Sequence, residues 1–395
     1  MKKNGEKYRI GVICAAPSAQ MSGQYDALAS LTDYEFILLF KYPQSSNPAW
    51  GKVEPKKVKW EVLPQLPSWL PSRMKRFVNG NITHVLEKYD FDGMILHGIY
   101  DSTAILQAQR WCRKNGRPCL LRCDANILEE QRFSWFKRLR HRILIGDKIK
   151  TSDALLTIGD NNSKYYENFG GTRDKLFLAP WEIDYDVLEN AYEKALPKRQ
   201  ELRHILGIDD DTFVISSIAR MFLYKGFDLL ICAASRLEAE GYKIKMFFAG
   251  SGHDEEIIKR KVCQYNAPVE MTGNLSRQKL VELLVSSDAF TLMSTFEPWG
   301  LVVNEACLCG LPLILANQVG VAANLLKNDA NGWSVPALDM EQFCGCVKKL
   351  INNRELCMKF GQASRNIYLD WTMTNSAAKG YKDALNFILK NYSCF

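Results

Sequence analysis

No apolar run in this chain approaches the roughly 18–20 residues that a bilayer-spanning helix needs, so no segment reads as a membrane span. The basic N-terminus, Met1-Lys-Lys-Asn-Gly-Glu-Lys, precedes seven apolar residues, 10–16, that stop at Pro17. That stretch reads as a buried first strand rather than a signal peptide. The twelve cysteines form no Cys-x-x-Cys pair. Cys307/Cys309 and Cys344/Cys346 fall two apart on predicted helices, where their side chains diverge, which argues against a zinc site. Scattered, mostly buried thiols fit a reduced, cytoplasmic protein. Low-complexity segments and repeats of solenoid length are also absent.

What is present is an ordinary globular composition, 47% hydrophobic and 24% charged, over 395 residues. That length exceeds one core and implies two domains. The charge is unevenly placed: residues 1–180 hold 28 Lys/Arg against 18 Asp/Glu, the remainder 23 against 26. A basic first half is expected to meet something anionic.

Short apolar runs alternate with amphipathic stretches. Strands are expected at 8–14, 35–40, 57–63, 93–97, 118–122, 154–158 and 176–179, with helices near 22–31, 72–89, 101–115, 129–150 and 161–169. A polar stretch, 185–205, reads as an inter-domain link. The pattern restarts with strands at 213–218, 245–249, 269–272, 289–293 and 313–316. Helices are expected near 225–240, 253–265, 276–286, 301–309, 320–326, 340–352, 355–368 and 372–391. Such alternation predicts two α/β, Rossmann-like, doubly wound domains in tandem. In open parallel sheets ligands bind beyond the carboxyl ends of the strands. The two domains are therefore expected to face a central cleft that holds the site.

The segment Thr295-Phe-Glu297-Pro-Trp-Gly300-Leu-Val-Val-Asn-Glu305 places two carboxylates eight residues apart, between a strand candidate and a helix candidate that ends at Gly310. A helix start offers free N–H groups to a phosphate. Eight residues is close to two turns at ~3.6 residues each, so both acids can line one side of a site. That suits an anionic ligand carrying hydroxyls, which describes a nucleotide-sugar. Upstream, Arg220 follows a strand end and Lys225 opens a helix. Two cations there suit a diphosphate, Arg as a fork and Lys as a point charge; an isolated pair so spaced would read as solvated surface. Ala249-Gly250-Ser-Gly252 follows the next strand and would let the backbone approach a ligand. Asn274, after the strand beyond, is a candidate lining of the base pocket.

Arg220…Lys225-Gly226, Ala249-Gly-Ser-Gly252, Glu297-Pro-Trp-Gly300…Glu305 and Gly310-Leu-Pro-Leu-Ile together resemble the donor half of family 4 glycosyltransferases. The likeness is detailed over residues 213–340. Over 1–180 it rests on the strand–helix pattern and on short pieces such as His97-Gly98 and Ala179-Pro-Trp-Glu-Ile-Asp184. It implies a retaining enzyme of the GT-B fold, with domains 1–185 for the acceptor and 206–370 for the nucleotide-sugar. A C-terminal helix in 371–395 would pack back on the first domain. The resemblance further implies that Arg220 and Lys225 hold the donor diphosphate, assisted by the backbone at Gly300, Leu301 and Val302. Glu297 would then contact the transferred sugar and Glu305 the ribose. Fixed cations and a helix start can stabilise a leaving diphosphate, so no metal or other cofactor is expected. The Asp-x-Asp strings at 90/92, 184/186 and 209/211 do not follow buried strands, as a metal pair would require.

In the first domain, His97 ends a strand and is a catalytic candidate, with a structural histidine as the alternative. Asp124 and Asn126 are acceptor-side candidates. Gly23 stands where the family often carries paired glycines near the donor phosphate; this chain has one. Two basic aromatic stretches, 69–77 and 133–142, read either as membrane-surface helices or as solvated faces with a core-packed stripe. No nucleic-acid motif accompanies the charge.

The expectation is a metal-independent glycosyltransferase moving a hexosyl unit from a UDP-, GDP- or ADP-linked donor to a saccharide, lipid-linked acceptor. It would act at the anionic inner face of the cytoplasmic membrane, in polysaccharide or glycolipid synthesis. A nucleotide-sugar epimerase and a non-catalytic nucleotide-sugar-binding subunit are the alternatives.

Overall fold

The structure is a computed structural model describing residues 6–18, 21–44, 53–66, 69, 78–98 and 103–392. The chain divides into two compact units: Met1–Ile183 with Asn375–Phe395, and Asp184–Thr374.

The sheet of unit 1 is built from β1 (Tyr8–Cys14), β2 (Tyr34–Phe40), β3 (Lys59–Val62), β4 (Gly93–His97), β5 (Cys119–Arg122), β6 (Ala154–Thr157) and β7 (Leu176–Leu178). Its order is β3-β2-β1-β4-β5-β6-β7, and every pairing is parallel. Parallel strands need crossovers, which place helices on both faces, so the central strands are apolar throughout rather than alternating. Ile10, Val12 and Cys14 join one core layer, with Leu38, Phe40, Leu120 and Leu156. Ile13 joins the opposite layer, with Leu39, Leu96, Leu121 and Leu155.

Helix Ala377–Tyr392 covers the first of these layers. Ala377, Tyr381, Ala384, Leu385 and Ile388 recur at helical spacing and are all buried there. Tyr381, Leu385 and Ile388 each contribute about 1.5–3 kcal/mol by leaving water. The Tyr381 hydroxyl also donates to the buried Gln24 Oε1 at 2.9 Å.

Unit 2 contains β8 (Phe213–Ile218), β9 (Ile244–Ala249), β10 (Val269–Gly273), β11 (Ala289–Leu292), β12 (Leu313–Ala316) and β13 (Gly332–Val335). They form one parallel sheet in the order β10-β9-β8-β11-β12-β13. In both sheets the strand order reverses once, between β1 and β4 and between β8 and β11. Those two points are where a doubly wound sheet opens a crevice beyond its strand ends.

Several expectations change. The stretch 185–205 is not a link but two helices of unit 2, Tyr185–Ala195 and Arg199–Ile205. Arg203, 3% exposed, explains the second. Its guanidinium donates to the Ser286 carbonyl at 2.9 Å and to Asp288 at 3.1 Å, and Asp288 also accepts the β8 amide of Val214 at 2.8 Å. The helix foreseen over 129–150 is two, Ile127–Gln131 and Trp135–Lys150. Each begins at its own cap, with Asn126 accepting from Glu129 N and Ser134 from Lys137 N. Of the helix foreseen at 72–89, the described part is Thr83–Tyr89, and residues 71–77 lie outside the described chain. Strand β13 was not foreseen.

Candidate functional site

The carboxyl edge of the unit 2 sheet gathers the motif residues at its order reversal. After β8 the chain makes a short turn, Leu223–Lys225, and then Gly226 at φ 83° starts helix Phe227–Ala239. A Cβ on Gly226 would stand 2.2 Å from the Met293 carbonyl oxygen just beyond β11, so only glycine lets the two loops meet. Lys225 is thereby turned inward, with its side chain 5% exposed. Its Nζ donates to Glu297 Oε2 at 2.5 Å. Glu297 is itself fixed by its backbone, which bridges to Val319 and accepts from Gly320 N at 2.9 Å.

Arg220 stays at the surface. Its guanidinium lies 5.2 Å from the Phe222 ring and donates to the Tyr224 hydroxyl at 3.3 Å. Lys225 Nζ stands 4.9 Å from the same Tyr224 ring. The two cations thus share Tyr224, one buried and one exposed.

Gly300 takes φ 97°, and Leu301 then starts helix Val302–Leu308 with no side chain capping it. Glu305, on that helix, is partly buried, and among the described residues no hydrogen bond reaches its carboxyl group. The surrounding protein desolvates it and lifts it from 4.5 to about 7, with Arg277 pulling the other way. Asn304, one position earlier, went unnoticed in the sequence. It is 1% exposed, with both amide heteroatoms unpartnered. Buried amides are rarely left so, and this one lies in the helix turn that carries Glu305.

Gly250, at φ 130°, packs against the Ala219 carbonyl, where a Cβ would stand 2.1 Å away. Gly250 N donates to Gly273 O, and Asn274 Nδ2 to Ser251 Oγ at 2.7 Å. The loops after β8, β9 and β10 are therefore tied together, and Asn274 is exposed at their rim.

In unit 1, His97 ends β4 and has a Nδ1 contact with the Cys14 thiol at 4.0 Å. Burial, with Arg122 and Lys41 nearby, pushes it well below its usual range, so the ring is neutral. Asp124 is exposed after β5. Asn126 is a helix cap rather than a free ligand group. Gly23 lies in helix Ser22–Ala29 against the Glu182 carbonyl, where a Cβ would stand 2.4 Å away, so close packing alone requires glycine there. Four of the six Asp-x-Asp acids have structural partners. Asp90 pairs with Arg117, Asp92 accepts Arg9 N, Asp184 caps a helix and Asp211 pairs with Lys243.

The helix Trp135–Lys150 exposes Trp135, Phe136, Leu139, Ile143 and Leu144, while Ile145 and Ile149 face the core. Its sequence holds six Lys/Arg against one acid. Two turns into it, His141 faces Glu130 at 3.5 Å. No described helix is long and apolar enough to cross a membrane.

Two doubly wound parallel units, the second carrying a buried lysine–glutamate pair at its order reversal, define the GT-B class of fold. Residues 198–367 match the family described as Glycosyl transferases group 1. The chain is 28% identical over 162 residues to an uncharacterised glycosyltransferase of Methanocaldococcus jannaschii, covering 40% of this chain and 39% of that protein. It is 26% identical over 203 residues to the D-inositol 3-phosphate glycosyltransferase of Xylanimonas cellulosilytica, covering 50% and 48%. The matched region thus spans less than half the length of each. Over the whole fold, the chain superimposes on Anabaena HepE in complex with UDP at a TM-score of 0.73 and 16% identity, covering 98% of this chain and 100% of that one. HepE has also been solved with UDP-glucose.

Proposed function

We propose that the protein is a retaining, metal-independent glycosyltransferase that moves a hexosyl unit from a nucleotide-sugar to a hydroxyl of a saccharide acceptor. The observation that carries this reading is the Lys225–Glu297 pair, held at 2.5 Å beside the uncapped helix start after Gly300. The matched family segment includes every one of these residues, and the UDP complexes of HepE support a uridine-linked donor.

In this reading Lys225 and Arg220 take the donor diphosphate, aided by the backbone at Gly300, Leu301 and Val302. Glu297 contacts the sugar and Glu305 the ribose hydroxyls. The bond from the anomeric carbon to the diphosphate breaks with its electron pair going to oxygen. An acceptor oxygen bonds to the same face of the sugar, and its proton passes to the departing diphosphate. Preorganised cations lower the cost of the charge that develops there.

In this reading unit 1 is the acceptor side, with His97 and Asp124 as its candidate contacts. The exposed apolar and basic face of Trp135–Lys150 supports a lipid-linked acceptor taken at an anionic, cytoplasmic membrane surface. The test is incubation with UDP-, GDP- and ADP-hexoses. Acceptor-dependent release of one nucleoside diphosphate, with product and donor sharing anomeric configuration by NMR, is expected. Donor conversion without any acceptor would instead mark an epimerase, and absence of turnover a binding subunit.

A further inference from the structure

At the order reversal of the unit 1 sheet, His97 belongs to a second polar cluster. Register and contacts set Lys41, Cys14, His97 and Arg122 side by side at the carboxyl ends of β2, β1, β4 and β5. Lys41 N donates to Cys14 O at 2.9 Å, Cys14 Sγ lies 4.0 Å from His97 Nδ1, and His97 is paired in register with Arg122. Lys41 is 4% exposed and Arg122 1%.

Two buried cations so placed would ordinarily be matched by buried acids. Here, among the described residues, neither forms an ion pair. Arg122 spends its donors on the carbonyls of Ala179 and Pro180, at 2.6 and 3.3 Å, and stacks between the Trp181 and Tyr381 rings. Among the described residues, the Lys41 ammonium has only the Tyr42 ring, 5.9 Å away. Its backbone is nevertheless pinned, because Gln65 and Asn79 side chains both donate to its carbonyl, at 2.8 and 3.1 Å. Two acids lie near enough to Arg122 to feel its charge, Glu182 from beyond β7 and Asp124 from the loop that directly follows β5. Glu182 is engaged by the amide of Ala377 at 2.7 Å, and Asp124 is exposed.

His97 Nε2 is buried without a partner. Burial pushes the Cys14 thiol up to about 12, so it stays protonated beside Nδ1. In the tautomer with the ring proton on Nε2, Cys14 donates to Nδ1 and the Nε2 N–H is left to be donated. A buried ammonium without an ion pair among the described residues, a fixed cationic neighbour and an unpartnered ring nitrogen together suit an anion.

The geometry points to a phosphate-binding site at this edge, with Lys41 as the charge partner and His97 Nε2 as the hydrogen-bond donor, which takes a phosphate group carried by the acceptor. This deepens the reading of unit 1 as the acceptor side and rests on it. Lys41 is a binding residue in this account and takes no part in bond breaking.

The test uses the full chain with inorganic phosphate as the probe, followed by calorimetry. Lys41→Met should stay folded, since it removes an uncompensated charge and keeps the side-chain volume. It should weaken phosphate binding at least tenfold and leave UDP binding unchanged. Lys225→Met should do the reverse, and Lys41→Arg should retain phosphate within about threefold. Competition with phosphate by a soluble hexose phosphate, or by vesicles containing a polyprenyl phosphate, separates a sugar-borne from a lipid-borne source; competition by neither overturns the site. Phosphate affinity unchanged in Lys41→Met, or lost only in Lys225→Met, also overturns it. Failure of UDP to bind at all would strike the donor reading of unit 2 and leave the Lys41 measurement standing.

Discussion

Lys225 and Glu297, 72 positions apart in the chain, meet in an ion pair of 2.5 Å whose partners are 5% and 16% exposed. Removing one member of a buried pair strands the other, at a cost of about 3–5 kcal/mol, whereas removing both is close to neutral. Lys225→Met should therefore lower stability by that amount in urea titrations. Lys225→Met/Glu297→Gln should recover most of the loss, yet both proteins should lack transfer activity. Recovery of turnover in the double variant would contradict the assigned roles.

Gly226 controls whether that lysine points inward. Alanine there meets the left-handed backbone cost and the Met293 carbonyl together. Gly226→Ala is expected to cost about 2–5 kcal/mol and to weaken UDP binding more than tenfold. A variant with unchanged melting temperature and affinity would show that the two loops adjust freely.

Glu305 gives the pH dependence. Its carboxyl is raised to about 7 in the fold, so the native state holds this proton more tightly than the unfolded chain does. Stability from this group is present at low pH and is lost as pH climbs from about 4.5 to about 7, then stays level. Glu305→Gln should therefore gain stability over the parent across that window, by roughly 1–3 kcal/mol at pH 8. Nucleotide affinity should behave oppositely. In the parent it should rise through pH 7 as the carboxylate forms, and in Glu305→Gln it should be weaker and flat. Calorimetry at pH 6 and 8 distinguishes the two proteins.

The exposed face of Trp135–Lys150 predicts adsorption to anionic vesicles. Replacing Trp135, Phe136, Leu139 and Ile143 by serine should reduce flotation with anionic liposomes at least tenfold without lowering thermal stability, because all four already face water. Equal flotation of parent and variant would remove the membrane from the proposal.

The strands legible in the sequence are those with helices on both faces. Residues 8–14, 93–97, 213–218 and 313–316 read as mostly apolar runs because most of their residues are buried, and β1, β4, β8 and β12 have those bounds. Strand β13, Gly-Trp-Ser-Val at a sheet edge, is half exposed and offers no such run. Helix Tyr185–Ala195 buries only Leu188 and Ala195, so its polar composition reads as a link. In the site, single residues were visible but their partners were not. Arg220 and Lys225 could be placed near strand ends, but the direct Lys225–Glu297 contact depends on two loops converging over Gly226. Lys41 was missed because a lone lysine after an apolar strand looks solvated, and only the packing of Asn79, Gln65 and Cys14 around it shows otherwise.

The helix Ala377–Tyr392 gives the chain an order of assembly. Domains made first on the ribosome generally fold first. Unit 1 cannot complete that course, because one face of its sheet is covered only in part, by the helix Ser22–Ala29, until the segment from Asn375 onward is made. Unit 2 lies between the two segments of unit 1 and can close earlier, so the unit whose strands are made first is completed after it. During that interval the apolar layer around Val12, Leu38 and Leu156 is open to water, and a nascent chain stalled before Asn375 would present it to chaperones and proteases.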